Sequence, residues 1–391
     1  MKSMLIVTSR NVATAGGEFS LIKNRADALE KNWGVHSDIV SLCNTALNVP
    51  EGSEAFGAGT YIRCNFSNPI ALINGYRRLI KTVENKLHQT HYDAVLLSGV
   101  GLPRYVTRVR AAAGFSTLIC ADVHGYYGDG RLLAKDESLF MGAFHTLASM
   151  VEEYEQKHFL KQFDRIFTVS SAYRTFLCDH AGCQPSQFYI VPCGTGSIPV
   201  FSTDDILAYR TTYRDKYGVK PNEKLLVYSG GASSWQCLPQ TIALYNEISR
   251  RLPCRLLLLT GDPIGVKSVT GGRPDILIDS YKPTDLPKVF CAADFFLMLR
   301  EDVPTNHYAF PNKYLEYAAS HKPIISTPYI YDVAKQIKSN GIGIIFDGNV
   351  NRLIQEMEDH SCKADEYDHV VRMNSFASTL VPFARDLGVI G

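Results

Sequence analysis

The residues best able to bind a ligand lie in the segment Arg300–Pro328, whose pattern is typical of a strand, a loop and a following helix. The helix entry is Phe310-Pro311-Asn312-Lys313, with a proline where its missing N–H costs nothing. Free N–H groups of a first helical turn bind anions, because they point along the positive end of the helix dipole. Glu316 follows one turn later on the same face, where a carboxylate suits hydrogen bonds to ribose hydroxyls. The segment predicts a phosphate and ribose site; an ordinary capped helix with a solvated glutamate is the alternative.

A second candidate is His124, which follows the apolar run Thr117–Ala121 together with Asp122. A histidine at the carboxyl end of a strand can hydrogen-bond a hydroxyl group or move a proton near neutral pH. We expect His124 to donate to a hydroxyl that gains charge during the reaction. Asp122 is the lesser candidate for a catalytic role, and a purely structural histidine is the alternative.

These residues require elements that carry them to the edge of a sheet, and the chain supplies two series of them. Apolar runs of strand length alternate with amphipathic segments of helix length, and the turn-rich run Pro192–Pro199 separates the series. Continuous apolar strands alternating with helices predict parallel sheets covered on both faces. We therefore predict an α/β protein with two doubly wound, Rossmann-like domains, 1–198 and 199–372, facing a cleft. In such sheets ligands bind beyond the carboxyl ends of the strands. The strand candidates are Met4–Thr8, His36–Val40, Ala94–Leu97, Thr117–Ala121, Arg165–Val169, Phe188–Val191, Leu225–Tyr228, Leu256–Thr260, Ile276–Ile278, Phe295–Leu299, Pro323–Ser326 and Gly343–Phe346.

Composition excludes several classes of protein. The 391 residues carry a net charge of +1, which gives no general electrostatic attraction for nucleic acid. No apolar run reaches the roughly 20 residues that span a bilayer, and the first residues are read as a buried strand rather than a leader. The ten cysteines are scattered without a C-x-x-C pair, and no D-x-D motif is present to hold a divalent cation. We expect a cytoplasmic protein without disulfides, metal or other cofactor.

The string F-P-N-K-Y-L-E-Y-A-A-S-H-K-P-I-I, which begins at Phe310, resembles the donor-site signature of the GT-B glycosyltransferases. The likeness is strongest to glycosyltransferase family 4 and its capsule and lipopolysaccharide relatives. It implies that Glu316 binds the donor ribose and that the helix entry holds the diphosphate. Many members have a second glutamate eight positions earlier, which is Tyr308 here, so Glu301 or His307 is left to replace it.

Other parts of the chain resemble the same family in the same order. Gly16 and Gly17 follow the first strand, as in the family's loop toward the donor phosphates and the acceptor. The likeness also implies that His124 acts on the reacting sugar. The tail 373–391 is helical in pattern, and the family implies that it crosses back onto the first domain.

The start of the second domain departs from the family. By spacing, the Arg and Lys that usually contact the donor diphosphate are replaced by Gly231 and Gln236. Arg300 and Lys313 are expected to supply the missing charge, and Gly230 and Gly231 to donate backbone N–H groups. Tyr281 lies where the family meets the nucleobase, so it either stacks on the base or is a partly exposed core tyrosine.

The resemblance implies sugar transfer from an activated donor to a glycan or lipid-linked acceptor, with retention of configuration and without metal. Three alternatives stay open: a sugar-nucleotide epimerase, a transferase using phosphoribosyl pyrophosphate, and an inert nucleotide-binding subunit. The basic amphipathic segment Pro69–His88 also fits contact with an anionic membrane surface, although a core-facing helix with a solvated basic face explains it equally.

Overall fold

The computed structural model describes residues 2–11, 17–45, 59–133, 139–193, 199, 201–231 and 236–391. The chain divides into two compact units. Unit 1 comprises Met1–Gly196 and Ser375–Gly391, and unit 2 comprises Ser197–Asn374. Each unit is built around a parallel sheet, with helices between successive strands.

Unit 1 contains a seven-stranded sheet in the order β3-β2-β1-β4-β5-β6-β7. Its strands are β1 (Ser3–Asn11), β2 (His36–Asn44), β3 (Thr60–Cys64), β4 (Ala94–Ser98), β5 (Leu118–Val123), β6 (Arg165–Thr168) and β7 (Phe188–Ile190). Its helices are α1 (Gly17–Trp33), α2 (Pro69–Gln89), α3 (Val106–Ala113), α4 (Asp129–Leu133), α5 (Leu139–Phe159) and α6 (Ser171–Ala181), and α16 (Phe376–Thr379) and α17 (Val381–Asp386) at the end of the chain.

Unit 2 contains a six-stranded sheet in the order β10-β9-β8-β11-β12-β13. Its strands are β8 (Lys224–Ser229), β9 (Cys254–Leu259), β10 (Ile276–Asp279), β11 (Phe295–Met298), β12 (Ile324–Ser326) and β13 (Gly343–Ile345). Its helices are α7 (Thr203–Lys216), α8 (Leu238–Ser249), α9 (Pro263–Thr270), α10 (Leu286–Phe290), α11 (Pro304–Tyr308), α12 (Asn312–Ala319), α13 (Tyr331–Asn340), α14 (Val350–Asp359) and α15 (Ala364–Met373).

The central strands are apolar along their whole length because both faces of each sheet are covered. Every residue of β4 and of β11 is buried, as are five of the six residues of β8. Such strands cannot alternate between apolar and polar side chains, which is why they read as continuous apolar runs. In each sheet the strand order reverses once, between β1 and β4 and between β8 and β11. The predicted doubly wound topology is confirmed.

Two features differ from the sequence predictions. The edge strand β3 has no counterpart among the strand candidates. The tail forms two short helices instead of one, because the chain turns at Leu380 before α17 begins at Val381, with Pro382 in its first turn. Edge strands and short helices bury fewer side chains, so their apolar periodicity is weak.

The C-terminal segment packs into unit 1 through aromatic and ionic contacts. Phe383 is fully buried, with its ring 5.0 Å from that of Phe167 and 5.7 Å from that of Tyr189. Arg165 donates through Nε to Asp386 at 2.6 Å, and Tyr189 donates to the same carboxylate. The last helix thereby contributes to the core beneath β6 and β7.

We predict that Phe383→Ala destabilises unit 1 by about 3–5 kcal/mol, because the lost ring leaves a cavity between buried aromatic neighbours. Hydrogen exchange of the β6 and β7 amides, measured against denaturant, reports this loss. The exposed Met373, at the end of α15, provides the control, since Met373→Ala should change stability by less than about 0.5 kcal/mol. Equal protection of β6 and β7 in the two variants would contradict a structural role for the segment.

Candidate functional site

The candidate residues follow strands that lie at the reversal of strand order in unit 2 and next to it in unit 1. In unit 1, β5 pairs with β4, and it ends with Asp122 and Val123 directly before His124. In unit 2, β8 and β11 pair at the reversal point, and Gly230 and Arg300 follow their carboxyl ends. Open parallel sheets bind ligands at this point, so the topology places the candidates where ligands are expected.

His124 and Asp122 are in direct contact. Nε2 of His124 lies 2.5 Å from Oδ2 of Asp122, and the Ser98 hydroxyl donates to the same oxygen at 3.2 Å. The Asp122 side chain has no exposed surface, whereas His124 is 8% exposed and lines a cavity of about 250 Å³. Asp122 therefore contacts His124 rather than a ligand, and His124 is the member of the pair that a ligand can reach.

Arg25 completes this cluster and was missed by the sequence analysis. Its Nη1 donates to Asp122 Oδ1 at 2.7 Å, and its Nη2 donates to the carbonyl of Val191 at 2.9 Å. The residue is 2% exposed. One signal in the sequence could have revealed it: Arg25 lies four residues after Leu21 and four before Leu29, so a charge occupies the buried stripe of α1.

The charge of the cluster is fixed by these contacts. Burial alone would raise the pKa of the Asp122 carboxyl, but the charges of Arg25 and His124 and their hydrogen bonds outweigh it and hold that pKa well below its usual range. The same cavity is lined by Glu155, which accepts hydrogen bonds from the Gly101 N–H at 2.7 Å and from Arg104 Nε at 2.6 Å. Burial raises the pKa of Glu155 in spite of these donors.

In unit 2, Arg300 is a guanidinium that has no counter-charge among the described residues. Its Nη1 donates to the carbonyl of Leu299 at 2.7 Å, and its backbone N–H donates to the Thr327 hydroxyl at 3.0 Å. Across the ranges that the structure describes, no carboxylate forms an ion pair with Arg300. Burial lowers its pKa, while the nearby Tyr228 and Tyr317 act in the opposite direction. A cation withdrawn from water is stabilised by an anion, so the geometry favours an anionic ligand here.

The two glycines after β8 differ in what they can offer a ligand. The N–H of Gly230 donates to the carbonyl of Leu259 at 3.0 Å, so it is already used within the sheet. A Cβ at this position would lie 2.9 Å from the Tyr228 hydroxyl, which explains the need for glycine. The carbonyl of Gly231 accepts the Tyr228 hydroxyl at 2.6 Å. Of the two expected N–H donors, Gly231 alone remains a candidate.

The helix α12 begins as the sequence predicts, at Asn312 after Pro311. Phe310 is buried, and its ring packs against that of Tyr314 at 5.5 Å. No side chain within the described part of the chain caps this helix. The N–H groups of Asn312 and Lys313 therefore have no intrahelical acceptor, as the first turn of any helix requires.

Lys313 and Glu316 pair with each other across one turn of α12. Lys313 Nζ donates to Glu316 Oε2 at 2.7 Å, and both side chains remain about a quarter exposed, at 27% and 23%. Tyr317 fixes the helix to the sheet, because its hydroxyl accepts from the Ser229 N–H at 2.9 Å and contacts the Ser229 carbonyl at 3.2 Å. The tyrosine thus attaches α12 to the end of β8, directly before Gly230 and Gly231.

Glu301 and His307 are not brought together. Nε2 of His307 lies 2.6 Å from Asp302, and the imidazole stacks on Tyr331 with ring centroids 4.5 Å apart. The Glu301 carbonyl accepts from Asn306 at 3.0 Å, while its carboxylate has no hydrogen-bond partner within the described ranges. Of the two, Glu301 has the free carboxylate that the missing family glutamate would have provided.

Tyr281 belongs to a polar cluster after β10. Its hydroxyl lies 2.5 Å from Lys216 Nζ and 2.8 Å from the Tyr217 hydroxyl, and the same ammonium lies 4.8 Å from its ring centroid. These contacts account for the hydroxyl, and stacking on a nucleobase stays a prediction. Gly16 lies outside the described residues, and Gly17 is the first residue of α1.

In the ranges that the structure describes, no group of three or more His, Cys, Asp or Glu side chains could hold a metal ion. Among the helices so described, none combines the length and the apolar character needed to cross a membrane.

We predict that Arg25→Met destabilises unit 1 by about 3–5 kcal/mol, because it leaves the Asp122 carboxylate buried without its counter-charge. Hydrogen exchange of β4 and β5 amides against denaturant measures the loss. The matched control is Lys23→Met on the same helix. Its ion pair with Asp27 is exposed, and it should contribute less than about 1 kcal/mol.

The pH dependence of this loss provides a second check. The folded pKa of Asp122 is depressed, so the stabilisation that it provides is present above its unfolded pKa of about 3.9 and decreases as the pH falls below that value. The difference between Arg25→Met and the parent should therefore shrink as the pH is lowered from about 4 toward about 2. A difference that stays constant or grows would contradict an ionised Asp122.

Comparison with known proteins bears on the fold. No family model matches the chain, and no curated protein matches it either. Solved structures do match along its length. The Anabaena protein Alr3699/HepE in complex with UDP has 14% identity and a TM-score of 0.67, with 100% of both chains covered. The glycosyltransferase of Rickettsia africae ESF-5 has 14% identity and a TM-score of 0.62, covering 99% of this chain and 93% of its own. The lipopolysaccharide outer core galactosyltransferase WaaB, in its apo form, has 12% identity and a TM-score of 0.64, with 99% of both chains covered. At such identities the likeness concerns the fold alone: the chain has the GT-B fold of two Rossmann-like domains, as its sequence predicts.

Proposed function

We propose that this protein is a glycosyltransferase of the family 4 type, which transfers a sugar from a nucleoside diphosphate donor to a hydroxyl of an acceptor. The observation that carries the proposal is Arg300, a guanidinium without a carboxylate partner in the described ranges, at the point where the second sheet reverses its strand order. An anionic group is the ligand that such a residue favours, and a diphosphate supplies one.

The first turns of α12 carry groups that suit the remaining parts of a nucleotide. The first N–H groups of α12, those of Asn312 and Lys313, provide further donors for phosphate oxygens. Glu316 lies one turn later and is partly exposed, so its carboxylate can accept hydrogen bonds from ribose hydroxyls. Binding of a nucleotide would exchange the Lys313–Glu316 pair for contacts with phosphate and ribose.

The donor class is supported by what similar structures contain. HepE has been solved with UDP and with UDP plus glucose, which makes a uridine diphosphate sugar the first candidate. His124 is proposed to act on the reacting sugar, and retention of configuration without metal is part of the same proposal. A glycan or lipid-linked acceptor, as in capsule or lipopolysaccharide synthesis, fits the structural neighbours that include WaaB and WaaG.

A cytoplasmic location with peripheral contact to an anionic membrane completes the proposal. On α2, Ile70 and Ile73 are exposed next to the exposed Arg77 and Lys81, a combination that suits a lipid surface. The rest of the apolar stripe, from Leu79 to Leu87, is buried in unit 1. Three basic residues beyond α2 pair with carboxylates: Arg104 with Glu155, Arg108 with Glu84 and Arg110 with Asp164. Only the start of the helix is therefore proposed to touch a membrane.

A binding screen tests the function directly. UDP, GDP, CDP, ADP and phosphoribosyl pyrophosphate are compared by thermal shift, where a ligand at about 100 times its Kd adds roughly 2.7 kcal/mol of stability. The donor sugar nucleotide is then followed for hydrolysis and for transfer. Stabilisation by a nucleoside diphosphate with slow donor hydrolysis supports the transferase. Stabilisation by phosphoribosyl pyrophosphate alone, release of a sugar nucleotide of altered stereochemistry, or binding without turnover would identify the three alternatives respectively.

We predict that Glu316→Ala weakens nucleotide binding by about 1–3 kcal/mol, because ribose hydroxyls lose their acceptor. Isothermal titration with the nucleotide identified in the screen measures this effect. Glu358→Ala, on an exposed position of α14, is the control and should leave the affinity unchanged. If Glu316→Ala keeps the parent affinity while folded, Glu316 does not bind the ribose.

We predict that Arg300→Ala and Lys313→Ala reduce the preference for nucleoside diphosphate over nucleoside. Each variant removes a charge-assisted hydrogen bond, about 1.5–3 kcal/mol, that only the diphosphate can accept. Titrating both ligands against each variant and against Lys335→Ala, an exposed control in unit 2, measures the preference. Should both variants discriminate as strongly as the parent, another group binds the phosphates.

A further inference from the structure

The contacts around Asp122 determine which nitrogen of His124 carries a proton. The carboxylate oxygen Oδ1 accepts from Arg25 at 2.7 Å. The other oxygen, Oδ2, lies 2.5 Å from His124 Nε2 and accepts from Ser98 at 3.2 Å. An ionised carboxylate can only accept hydrogen bonds, so the short contact is satisfied only when Nε2 is protonated.

Arg25 offers a competing contact, which is weaker. Its Nη1 lies 3.4 Å from His124 Nε2 and could donate to that nitrogen if it were unprotonated. The distance to Asp122 is shorter by 0.9 Å, from 3.4 to 2.5 Å, and that contact joins a charged acceptor to a donor. The hydrogen bond to Asp122 therefore decides the tautomer.

We propose that neutral His124 is held as the Nε2–H tautomer and presents an unprotonated Nδ1, a hydrogen-bond acceptor, to the cavity that it lines. Arg25 and Asp122 are positioning residues that act through His124. The group recognised by Nδ1 is a hydrogen-bond donor, a hydroxyl rather than a carbonyl or phosphate oxygen. That this hydroxyl belongs to a sugar rests on the proposed function. The donating role expected for His124 from the sequence is replaced by an accepting one.

Nothing else in the described ranges competes for Nδ1. Nε2 is the nitrogen turned toward Asp122, and no described residue forms a hydrogen bond with Nδ1. The tautomer is fixed because the buried ion pair with Arg25 holds the Asp122 carboxylate in one orientation. Asp122 therefore cannot exchange its hydrogen-bond partners. With side-chain exposures of 3% and 0%, neither residue can be reoriented by solvent.

Asp122→Asn tests this arrangement sharply because Arg25 orients the new amide. Arg25 donates, so the amide oxygen must take the place of Oδ1 and the NH₂ group must take the place of Oδ2. The NH₂ group then faces His124 Nε2, and it can bond only an unprotonated nitrogen. The substitution should reverse the tautomer, which leaves Nδ1 protonated and unable to accept.

The experiment uses the full chain labelled with ¹⁵N-histidine and long-range ring correlations at pH 8, with His124 assigned by its absence in His124→Gln. In the parent we expect a protonated Nε2, whose proton is shifted downfield and protected from exchange, and an unprotonated Nδ1. In Asp122→Asn we expect the protonated nitrogen to be Nδ1. A parent His124 protonated on Nδ1, an unprotected Nε2 proton, or an unchanged tautomer in the folded variant would overturn the proposal. The parent spectrum decides even if the variant does not fold.

The matched control is His321, whose Nε2 lies 2.8 Å from Asp368 on the surface of unit 2. The amide of Asp368→Asn has no arginine to orient it, so His321 should keep its Nε2 proton. If the tautomer of His321 also reverses in Asp368→Asn, an amide reverses the tautomer without an arginine to orient it. That result would contradict the proposed role of Arg25.

Turnover separates this inference from the proposed function. Once a donor is identified, Asp122→Asn should lower kcat by on the order of a hundredfold or more while KM for the donor is nearly unchanged. If the tautomer reverses and kcat is retained, the role of Nδ1 toward a sugar hydroxyl is refuted. If no glycosyl transfer is found with any donor, the proposed function fails, and the spectra still decide the tautomer.

Discussion

Parallel pairing of the strands is the constraint on which the rest of this structure depends. Because every strand in a sheet runs in the same direction, all the carboxyl ends in that sheet lie at one edge. Residues from distant parts of the chain thereby become neighbours, as Ser98 and Asp122 do at the ends of β4 and β5. The reversal of strand order opens space at the same edge, where Arg300 and Gly230 follow paired strands of the second sheet. The chemistry of both units is thus placed by topology before any individual contact is considered.

Two arginines, the buried Arg25 and the partly buried Arg300, illustrate how this protein treats charge. Arg25 is neutralised by Asp122 and donates a further hydrogen bond to Val191, so its charge is paired inside the protein. Arg300 has only the Leu299 carbonyl as acceptor for its side chain among the described residues. A satisfied pair holds its neighbours in one arrangement, whereas an unsatisfied cation gains free energy when an anion arrives. The first arginine therefore positions His124, and the second is suited to binding.

The site also shows why family patterns transfer unevenly. The helix entry Phe310–Lys313 and Glu316 keep the sequence of the pattern, and α12 begins at Asn312 within it and includes Glu316. Gly230 keeps its sequence position, yet its N–H is used by Leu259 and its missing side chain is needed beside Tyr228. His307 carries a suitable imidazole that is engaged by Asp302 and Tyr331. A residue type at the right spacing indicates which ligand contacts a side chain could make. Its hydrogen-bond partners within the protein determine which of its polar atoms remain free to make them.

The sequence by itself determined the two parallel sheets, their approximate strands and the helix that begins at Asn312. These features follow from apolar runs and from a proline at the helix entry. Both are patterns of neighbouring residues, so they can be recognised in the sequence. Only the tertiary structure revealed the role of Arg25, because its partner lies 97 residues away and a charge in the apolar stripe of α1 does not identify that partner. It also decided which of the candidates still have free polar groups, and it split the predicted C-terminal helix in two. Hydrogen bonds between distant segments depend on packing angles and distances that no spacing along the chain encodes. For that reason the fold could be predicted well, and the orientation of His124 could not.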